Sequence, residues 1–400
     1  MNAPEQGFGH RAQHIAIVVQ SLAGGGVQMR MIALAREFAR AGRKVDLLVS
    51  EGGGHSDGLP GSVRVIALGK HRRRRLRRYL RGADPDVVLA GGTPVHRIAV
   101  AAARDAPGIP LVLRASVHPR RPMPWSRWRE RLAEPIKRRL RDRRYRKADL
   151  VIAVSNDTAR AVRTIAPDTP VVTLPSPIIG PGFESRSAEP LDHPWADDGL
   201  PLIFAAGRLA PSKDFGGLLS AFAVLRKSRE ARLVIAGDGP EAVRRKLRQR
   251  ARRLGVSQDF ELLGWSRDIP AWLARADLFV LASWWEGCPA SLVEAMAAGC
   301  PVVATDSPGD SRRLLRSGEL GGLVPLRDPR AMADAMAVQL DNPVDPAKLR
   351  AAVEPYREET AAAGYLDALD RCVAAHAAGQ TAEAGDEDLE PCRSERDRAA

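Results

Sequence analysis

In HIAIVVQSLAGGGVQMRMIALAREFARAG, residues 14–42, the spacing of the apolar side chains changes once, and that change decides the fold class. HIAIVVQ (14–20) is continuous and rich in β-branched residues, the pattern of a strand buried on both faces. SLAGGG follows as a tight loop. VQMRMIALAREFARAG (27–42) then has helical spacing and ends on Gly42, which suits a helix C-terminus. KVDLLVS (44–50) returns to the strand pattern. PDVVLAGG (85–92), PLVLRAS (110–116) and ADLVIAVS (148–155) repeat it, with helical segments between most of them. Strands alternating with helices predict a parallel, doubly wound α/β sheet.

The pattern restarts at PLIFAAGRL (201–209), a strand entering a glycine loop. FGGLLSAFAVLRKS (215–228) is a helix, and ARLVIAGDGPE (231–241) is a strand closing in a Gly/Pro turn. EAVRRKLRQRARRLG (241–255) is a helix with basic exposed positions. DFELLGW (259–265), ADLFVLAS (276–283) and PVVATDS (301–307) read as strands, and LGGLVPL (320–326) as a weaker one. Between the two halves, TLPSPIIGPGFESRSAEPLDHPWADDG (173–199) is rich in Pro and Gly and has no period, so it is the linker candidate. The expected division is a first α/β domain over 1–175, a linker over 176–199 and a second α/β domain over 200–355. A C-terminal helix over 356–376 and a charged tail over 377–400, predicted to be disordered, complete it. Two such domains facing each other leave a cleft at the carboxyl ends of their strands, where ligands bind. SLAGGG, GRLAPSK (207–213) and EGCPASLVE (286–294) should all face it.

Four hundred residues exceed what one core usually fills, in keeping with two domains. No run of eighteen apolar residues exists, so no membrane-spanning helix is expected, and MNAPEQGFGHRAQ lacks the apolar core of a signal peptide. Cys288, Cys300, Cys372 and Cys392 show neither CxxC spacing nor nearby His ligands. They read as reduced thiols of a cytoplasmic protein, not as a disulfide frame or a zinc site. The 61 basic and 48 acidic residues leave a net charge of +13, and the excess is local, in KHRRRRLRRYLR (70–81) and from Arg114 to Lys147. Such patches favour anionic partners.

Arg208 and Lys213 suit a diphosphate that must be gripped and neutralised, although two solvated surface charges would read the same way. In EGCPASLVE the second half starts a helix whose free N–H groups can hold an anion. Ser291-Leu-Val-Glu294 also fits a capping box, which would make Glu294 purely structural, and Glu286 could be a carboxylate in water. The other reading is that the two carboxylates hold a ribose and a hexose through their vicinal hydroxyls. SLAGGG invites comparison with the dinucleotide fingerprint GxGxxG. Gly24 and Gly26 fit, but Met29 stands where the third glycine belongs, and Asp46 begins its strand instead of ending it. The loop therefore either lets another ligand's phosphate or sugar approach closely or is a plain turn. His118 follows a strand ending at the cleft, where it could contact a sugar or lie in a surface loop.

Together these segments resemble the retaining glycosyltransferases of family 4, a group with a two-Rossmann-domain, B-type fold. The signature is Glu-x7-Glu, here Glu286 and Glu294, with ADLFVLAS before it and EAMAAGCPVVATDSPG (294–309) running on from it. GRLAPSKDFGGLLSAF (207–222) is similar to the family's phosphate-binding loop, and LAGGGVQMRMIALAREFARAG (22–42) to its opening. The resemblance implies that Glu294 bonds the ribose of a nucleotide-sugar donor and that Glu286 contacts the transferred sugar. Arg208 and Lys213 would hold the diphosphate beside Gly207 and Gly287, with backbone amides near Ala290, Ser291 and Leu292 helping. Gly264 and Trp265 would receive the base, the Gly24-Gly25-Gly26 loop would close over the donor, and His118 would sit near the sugar. The helix at 357–373 resembles a segment that crosses back onto the first domain, which takes the acceptor in this family. Ser176 stands where the family often has Asn, and Ser307-Pro308-Gly309 where it often has paired glycines.

The implied enzyme is a hexosyltransferase that retains anomeric configuration by front-face attack. It would use a nucleoside-diphosphate sugar as co-substrate, with no cofactor and no metal ion. No DxD-type acidic pair stands where it would carry Mg²⁺ between phosphates. A glycan or lipid-linked acceptor of cell-envelope or lipopolysaccharide synthesis is expected. WSRWRERLAEPIKRRLRDRRYRK (125–147) could lie on the anionic inner face of the plasma membrane as a basic amphipathic helix, or turn its apolar stripe (Trp125, Trp128, Leu132, Ile136, Leu140) into the core. Alternatives are a nucleotide-sugar epimerase or sugar phosphorylase of the same fold, or, more remotely, an Arg-rich nucleic-acid-binding protein. The last gives no reason for the Glu-x7-Glu loop and lacks an aromatic-laced recognition module, so nucleic acid is not an expected partner.

Overall fold

The structure is a computed structural model that describes residues 11–23, 25–51, 58–119 and 128–379, the side chains of 128–134 excepted. Gly24, Trp125, most of the MNAPEQGFGHRAQ start and nearly all of the tail expected over 377–400 lie outside the described residues.

Two parallel sheets form, as the alternating pattern requires. The first comprises β1 (His14–Val19), β2 (Lys44–Val49), β3 (Val63–Ala67), β4 (Val87–Gly91), β5 (Leu111–Ala115), β6 (Leu150–Ala153) and β7 (Val171–Thr173) in the order β3-β2-β1-β4-β5-β6-β7. The second comprises β8 (Leu202–Ala206), β9 (Arg232–Ala236), β10 (Phe260–Gly264), β11 (Leu278–Leu281), β12 (Val302–Thr305) and β13 (Gly322–Val324) in the order β10-β9-β8-β11-β12-β13. Helices α1 (Gly26–Arg40), α2 (Arg72–Ala83), α3 (Thr93–Ala103), α4 (Trp128–Tyr145) and α5 (Asn156–Ile165) accompany the first sheet. The linker carries α6 (Phe183–Ser187). The second sheet has α7 (Phe215–Leu225), α8 (Glu241–Arg253), α9 (Ile269–Arg275), α10 (Ala290–Ala298), α11 (Ser311–Leu314), α12 (Pro329–Asp341) and α13 (Pro346–Val353), and α14 (Glu358–Ala377) ends the described chain.

In each sheet the strand order reverses beside the first strand of the half. β1 pairs in parallel with both β2 and β4, and β8 with both β9 and β11. That reversal opens a crevice at the carboxyl ends, so the loops after β1, β8 and β11 can meet a ligand. Apolar clusters cover both faces of each sheet. Tyr365, Leu369 and Cys372 of α14 share one with Ile15, Ile17, Leu34 and Phe38 of β1 and α1. Burying side chains such as Leu369 and Tyr365 stabilises by roughly 1.5–3 kcal/mol each. Polar bonds fasten the helix further. Asp370 accepts from Ala12 N and Arg43 Nη2, both at 2.8 Å, and buried Arg114 donates from Nε to Tyr365 Oη at 2.8 Å. Where the chain crosses between halves, Ile178 N and Ile179 N both donate to Tyr356 O, at 2.8 and 3.0 Å, and Glu358 N donates to Ile179 O at 3.0 Å. The two crossing segments thus brace each other.

Several elements depart from the sequence pattern. β3 and β7, the two edge strands of the first sheet, escape it because β3 is largely exposed and β7 has only 3 residues. The aperiodic linker folds in part: Phe183 of α6 is buried with Ile178 and Ile179 in the second domain's core. The basic run at 70–81 becomes α2, which buries Leu76 and Leu80 and turns arginines to solvent. α4 runs through Pro135 and leaves Ile136 66% and Leu140 50% exposed, so those two apolar positions do not enter the core. Among the described residues no helix is long and apolar enough to cross a membrane.

Asp46, at 1% exposure, lies near the amino ends of the strands, away from the crevice. Burial alone would push its carboxyl up. Bonds from Arg64 (Nε, 2.8 Å), Tyr79 (Oη, 2.5 Å) and His14 (Nε2, 2.9 Å) outweigh that and hold it at about 2. It is a structural anion with no place in a dinucleotide site.

Candidate functional site

β8 delivers the chain into Gly207, whose N–H donates to Ala236 O at 2.9 Å. A Cβ on Gly207 would lie 3.1 Å from Lys213 Cε, and its φ of +152° suits glycine. The turn Pro211–Lys213 then leads to Asp214, which accepts from Gly217 N at 3.0 Å and from Trp284 Nε1 at 2.7 Å. Asp214 caps α7 and ties the loop to the segment after β11. Held there, Lys213 Nζ stands 2.6 Å from Glu286 Oε1, with the two side chains 20% and 12% exposed. Arg208 is exposed one residue past Gly207, and its guanidinium has no partner among the described residues.

Glu286 is fixed through its backbone, since its N–H donates to Pro308 O at 3.0 Å. A Cβ on Gly309 would come within 2.2 Å of Glu286 O, so one glycine of Ser307-Pro308-Gly309 serves the close approach. The capping box that Ser291 and Glu294 could form is not made. α10 starts at Ala290 behind Pro289, with no side-chain cap, and Leu292 N and Val293 N both donate to Pro289 O, at 3.0 and 3.1 Å. The N–H groups of Ala290 and Ser291 keep no backbone partner among the described residues. The positive end of α10 is therefore left uncapped, four residues along the chain from Glu286.

Glu294, one helical turn into α10, meets the first domain. Its Oε1 lies 3.5 Å from Arg30 Nη2 of α1. Burial pushes its carboxyl up, and Arg30, Arg186 and Lys213 oppose that. It lines a cavity of about 560 Å³ with Ile178, Phe183, Arg186, Trp265 and Arg267. Trp265 follows Gly264, which ends β10; its ring is 68% exposed and lies 5.5 Å under the Arg267 guanidinium. A planar base or an apolar group fits such a wall.

The first domain contributes backbone more than side chains. A Cβ on Gly287 would lie 2.3 Å from Ser116 O, so the loop after β5 touches the Glu-x7-Glu loop directly. His118 is half-buried two residues beyond Ser116. Asp157 Oδ2 accepts from Gly309 N at 3.1 Å. Gly25 precedes α1 and Gly26 is its first residue. Cys288 is half-buried, and burial pushes its thiol up to about 12, so it is no ready nucleophile. Among the described residues no three His, Cys, Asp or Glu side chains cluster to hold a metal ion.

The fold thus brings Lys213, Glu286, Gly287 and the start of α10 together, with Arg208 at the rim of the same loop. Glu294 and Trp265 share the neighbouring cavity. Sequence reasoning missed Arg30, Ile178, Phe183, Arg186 and Arg267. The middle three sit in or beside a stretch that reads only as linker. Arg30 looks like any polar position of an amphipathic helix.

Comparison with known proteins agrees with this architecture. A family model described as "Glycosyl transferases group 1" matches residues 200–342, and one described as "Glycosyltransferase Family 4" matches 24–178. The chain is 30% identical over 337 residues to the phosphatidyl-myo-inositol mannosyltransferase of Mycobacterium leprae, covering 80% of this chain and 85% of that protein. It is 30% identical over 209 residues to the lipopolysaccharide core biosynthesis mannosyltransferase LpsB of Rhizobium meliloti, covering 49% of this chain and 57% of LpsB. A 132-residue match at 39% identity covers 32% of this chain and only 14% of an exopolysaccharide phosphotransferase, SCO2592, of Streptomyces coelicolor. Among solved structures, Anabaena Alr3699/HepE in complex with UDP and glucose superposes with a TM-score of 0.66 at 19% identity, over 92% of this chain and all of that one. At that identity the likeness concerns the fold, which is the B-type arrangement of two Rossmann-like domains. With each half matched by such a model, and 80% of its length aligned to a mannosyltransferase, the chain belongs to the group 1, family 4 glycosyltransferases, enzymes of the hexosyltransferase type.

Proposed function

We propose that the cleft binds a nucleoside-diphosphate sugar and transfers its sugar, with retention and without a metal ion, to a glycan or lipid-linked acceptor of cell-envelope polysaccharide or lipopolysaccharide synthesis. The Lys213–Glu286 pair beside the uncapped start of α10 carries this reading. An ammonium paired with a carboxylate, and free helix N–H groups a few residues along the same loop, suit the junction of a diphosphate and a sugar. Arg208, Lys213 and the helix start carry the negative charge that grows on the departing diphosphate. Glu286 accepts from hydroxyls of the transferred sugar, and Glu294 from the ribose. The base lies against Trp265. In front-face attack the leaving phosphate takes the acceptor's proton on the side it departs from, so the new bond forms there and configuration is kept. His118 borders the sugar from the first domain.

The enzyme works at the inner face of the plasma membrane in this reading. Exposed Ile136 and Leu140 one helical turn apart, beside exposed Lys137, Arg138 and Arg139, suit an anionic lipid surface. The relatives that act on phosphatidylinositol and lipopolysaccharide core, by their names, favour a lipid-borne acceptor.

Thermal-shift screening of UDP-, GDP- and ADP-sugars should find one that stabilises the protein, and transfer from it should yield a product of unchanged anomeric configuration with excess chelator present. Inversion, or loss of activity on chelation, overturns the corresponding part of the mechanism. Flotation with anionic vesicles but not neutral ones is expected, and absence from both removes the membrane assignment.

A further inference from the structure

Arg30 stands near the start of α1, yet its side chain leaves the first domain. Nη1 donates to Ile178 O of the linker at 3.2 Å, and Nη2 lies 3.5 Å from Glu294 Oε1 in the second domain. The guanidinium is 15% exposed and the carboxylate 25%, so the pair is largely shielded from water. The ion pair engages Oε1, and Oε2, which has no partner among the described residues, can accept from a vicinal diol. α10 gives Glu294 no capping role, so nothing in its own helix fixes the carboxylate. Burial disfavours the charged form, and the charged groups around it come from several elements. They are Arg30 of α1, Arg186 and Glu189 of the α6 segment, Lys213 of the loop after β8, and Arg267 and Asp268 after β10. Lys213 is already paired with Glu286, which leaves Arg30 as the closest cation to Glu294.

We propose that Arg30 is a positioning residue for donor recognition: reaching across from the first domain, it holds Glu294 oriented and ionised, so that the second domain reads the ribose fully only when the first is docked against it. The inference rests on the donor-site reading above. It also makes domain closure part of affinity, because a fork shared between the linker carbonyl and Glu294 exists only in the docked arrangement.

The test is calorimetric titration of UDP, GDP and ADP into wild type, R30A, R30K, E294Q and R30A/E294Q between about pH 6 and about pH 8. In R30A the best-bound nucleotide should lose about tenfold in affinity near neutral pH. The loss should grow as pH falls, because without its cation Glu294 takes up a proton at higher pH and the protonated acid accepts poorly. R30K, which keeps the charge, should recover most of the affinity and the wild-type pH profile. R30A/E294Q should bind no more weakly than E294Q alone, since Arg30 acts through that carboxylate. Should R30A not fold, R30M keeps the apolar stem and takes its place. Wild-type affinity in R30A, a pH-independent loss, or full addition of the two single losses overturns the role of Arg30. A wild-type protein that binds none of the three nucleotides overturns the donor site itself.

Discussion

The two halves share a plan and differ in what they bring to the crevice between them. After β8 and β11 the second domain presents charged side chains: Arg208, Lys213, Glu286 and, in α10, Glu294. After β1 and β5 the first domain presents mostly backbone: Gly25 and Gly26, and the Ser116 carbonyl against Gly287. Its buried ion cluster, around Asp46, lies at the other end of the sheet, and its basic helix α2 faces solvent. One sheet architecture thus yields one half that lines the crevice with charged side chains and one that meets it largely through backbone. The difference lies in a few loops, because the strands must first satisfy their own buried faces and cannot spare side chains for a ligand.

The contrast can be broken most directly at Lys213. Lys213→Ala removes the cation beside Glu286 and should lower kcat by about 10²–10³ with thermal stability little changed, as steady-state kinetics and melting would check. A normal kcat would move the chemistry out of the second domain. Gly287→Val tests the half that meets the crevice through backbone. Its added Cβ meets the Ser116 carbonyl at 2.3 Å, so the domains cannot dock as they do. Activity should fall at least about tenfold, with small-angle scattering showing a more extended particle. Asp46→Asn sharpens the comparison from the structural side. It should cost about 3 kcal/mol in denaturant unfolding and leave kcat within about twofold. Because the folded Asp46 carboxyl sits at about 2, below its ordinary 3.8, its stabilising effect is complete above that ordinary value and fades as pH falls towards about 2. The wild-type advantage over Asp46→Asn should shrink over that window.

The same contrast explains what could be read from residues alone. The second domain's groups sit in contiguous motifs, so GRLAPSK and EGCPASLVE announce charge and helix start together. The strand–loop–helix plan was equally legible, because strands buried on both faces print continuous apolar runs such as HIAIVV. The edge strands Val63–Ala67 and Val171–Thr173 print no such run, since one side of each lacks a partner. Ser291 and Glu294 had the spacing of a capping box, but Pro289 occupies the position before the helix and Glu294 is drawn to Arg30. That pull, like the approach of Ser116 to Gly287, arises between residues far apart in the chain. No local pattern encodes it.

The placement of α14 has a consequence for how the molecule is made. During translation the first domain leaves the ribosome first, yet Tyr365, Leu369 and Cys372 of its apolar cluster emerge near the end of the described chain. Until then the flank of β1 and α1 that they cover stays wet, and Ala12 N and Arg43 wait for Asp370. The earliest-synthesised half is therefore the last to be sealed. A premature stop ahead of Glu358 would injure it more than the half lying next to the break.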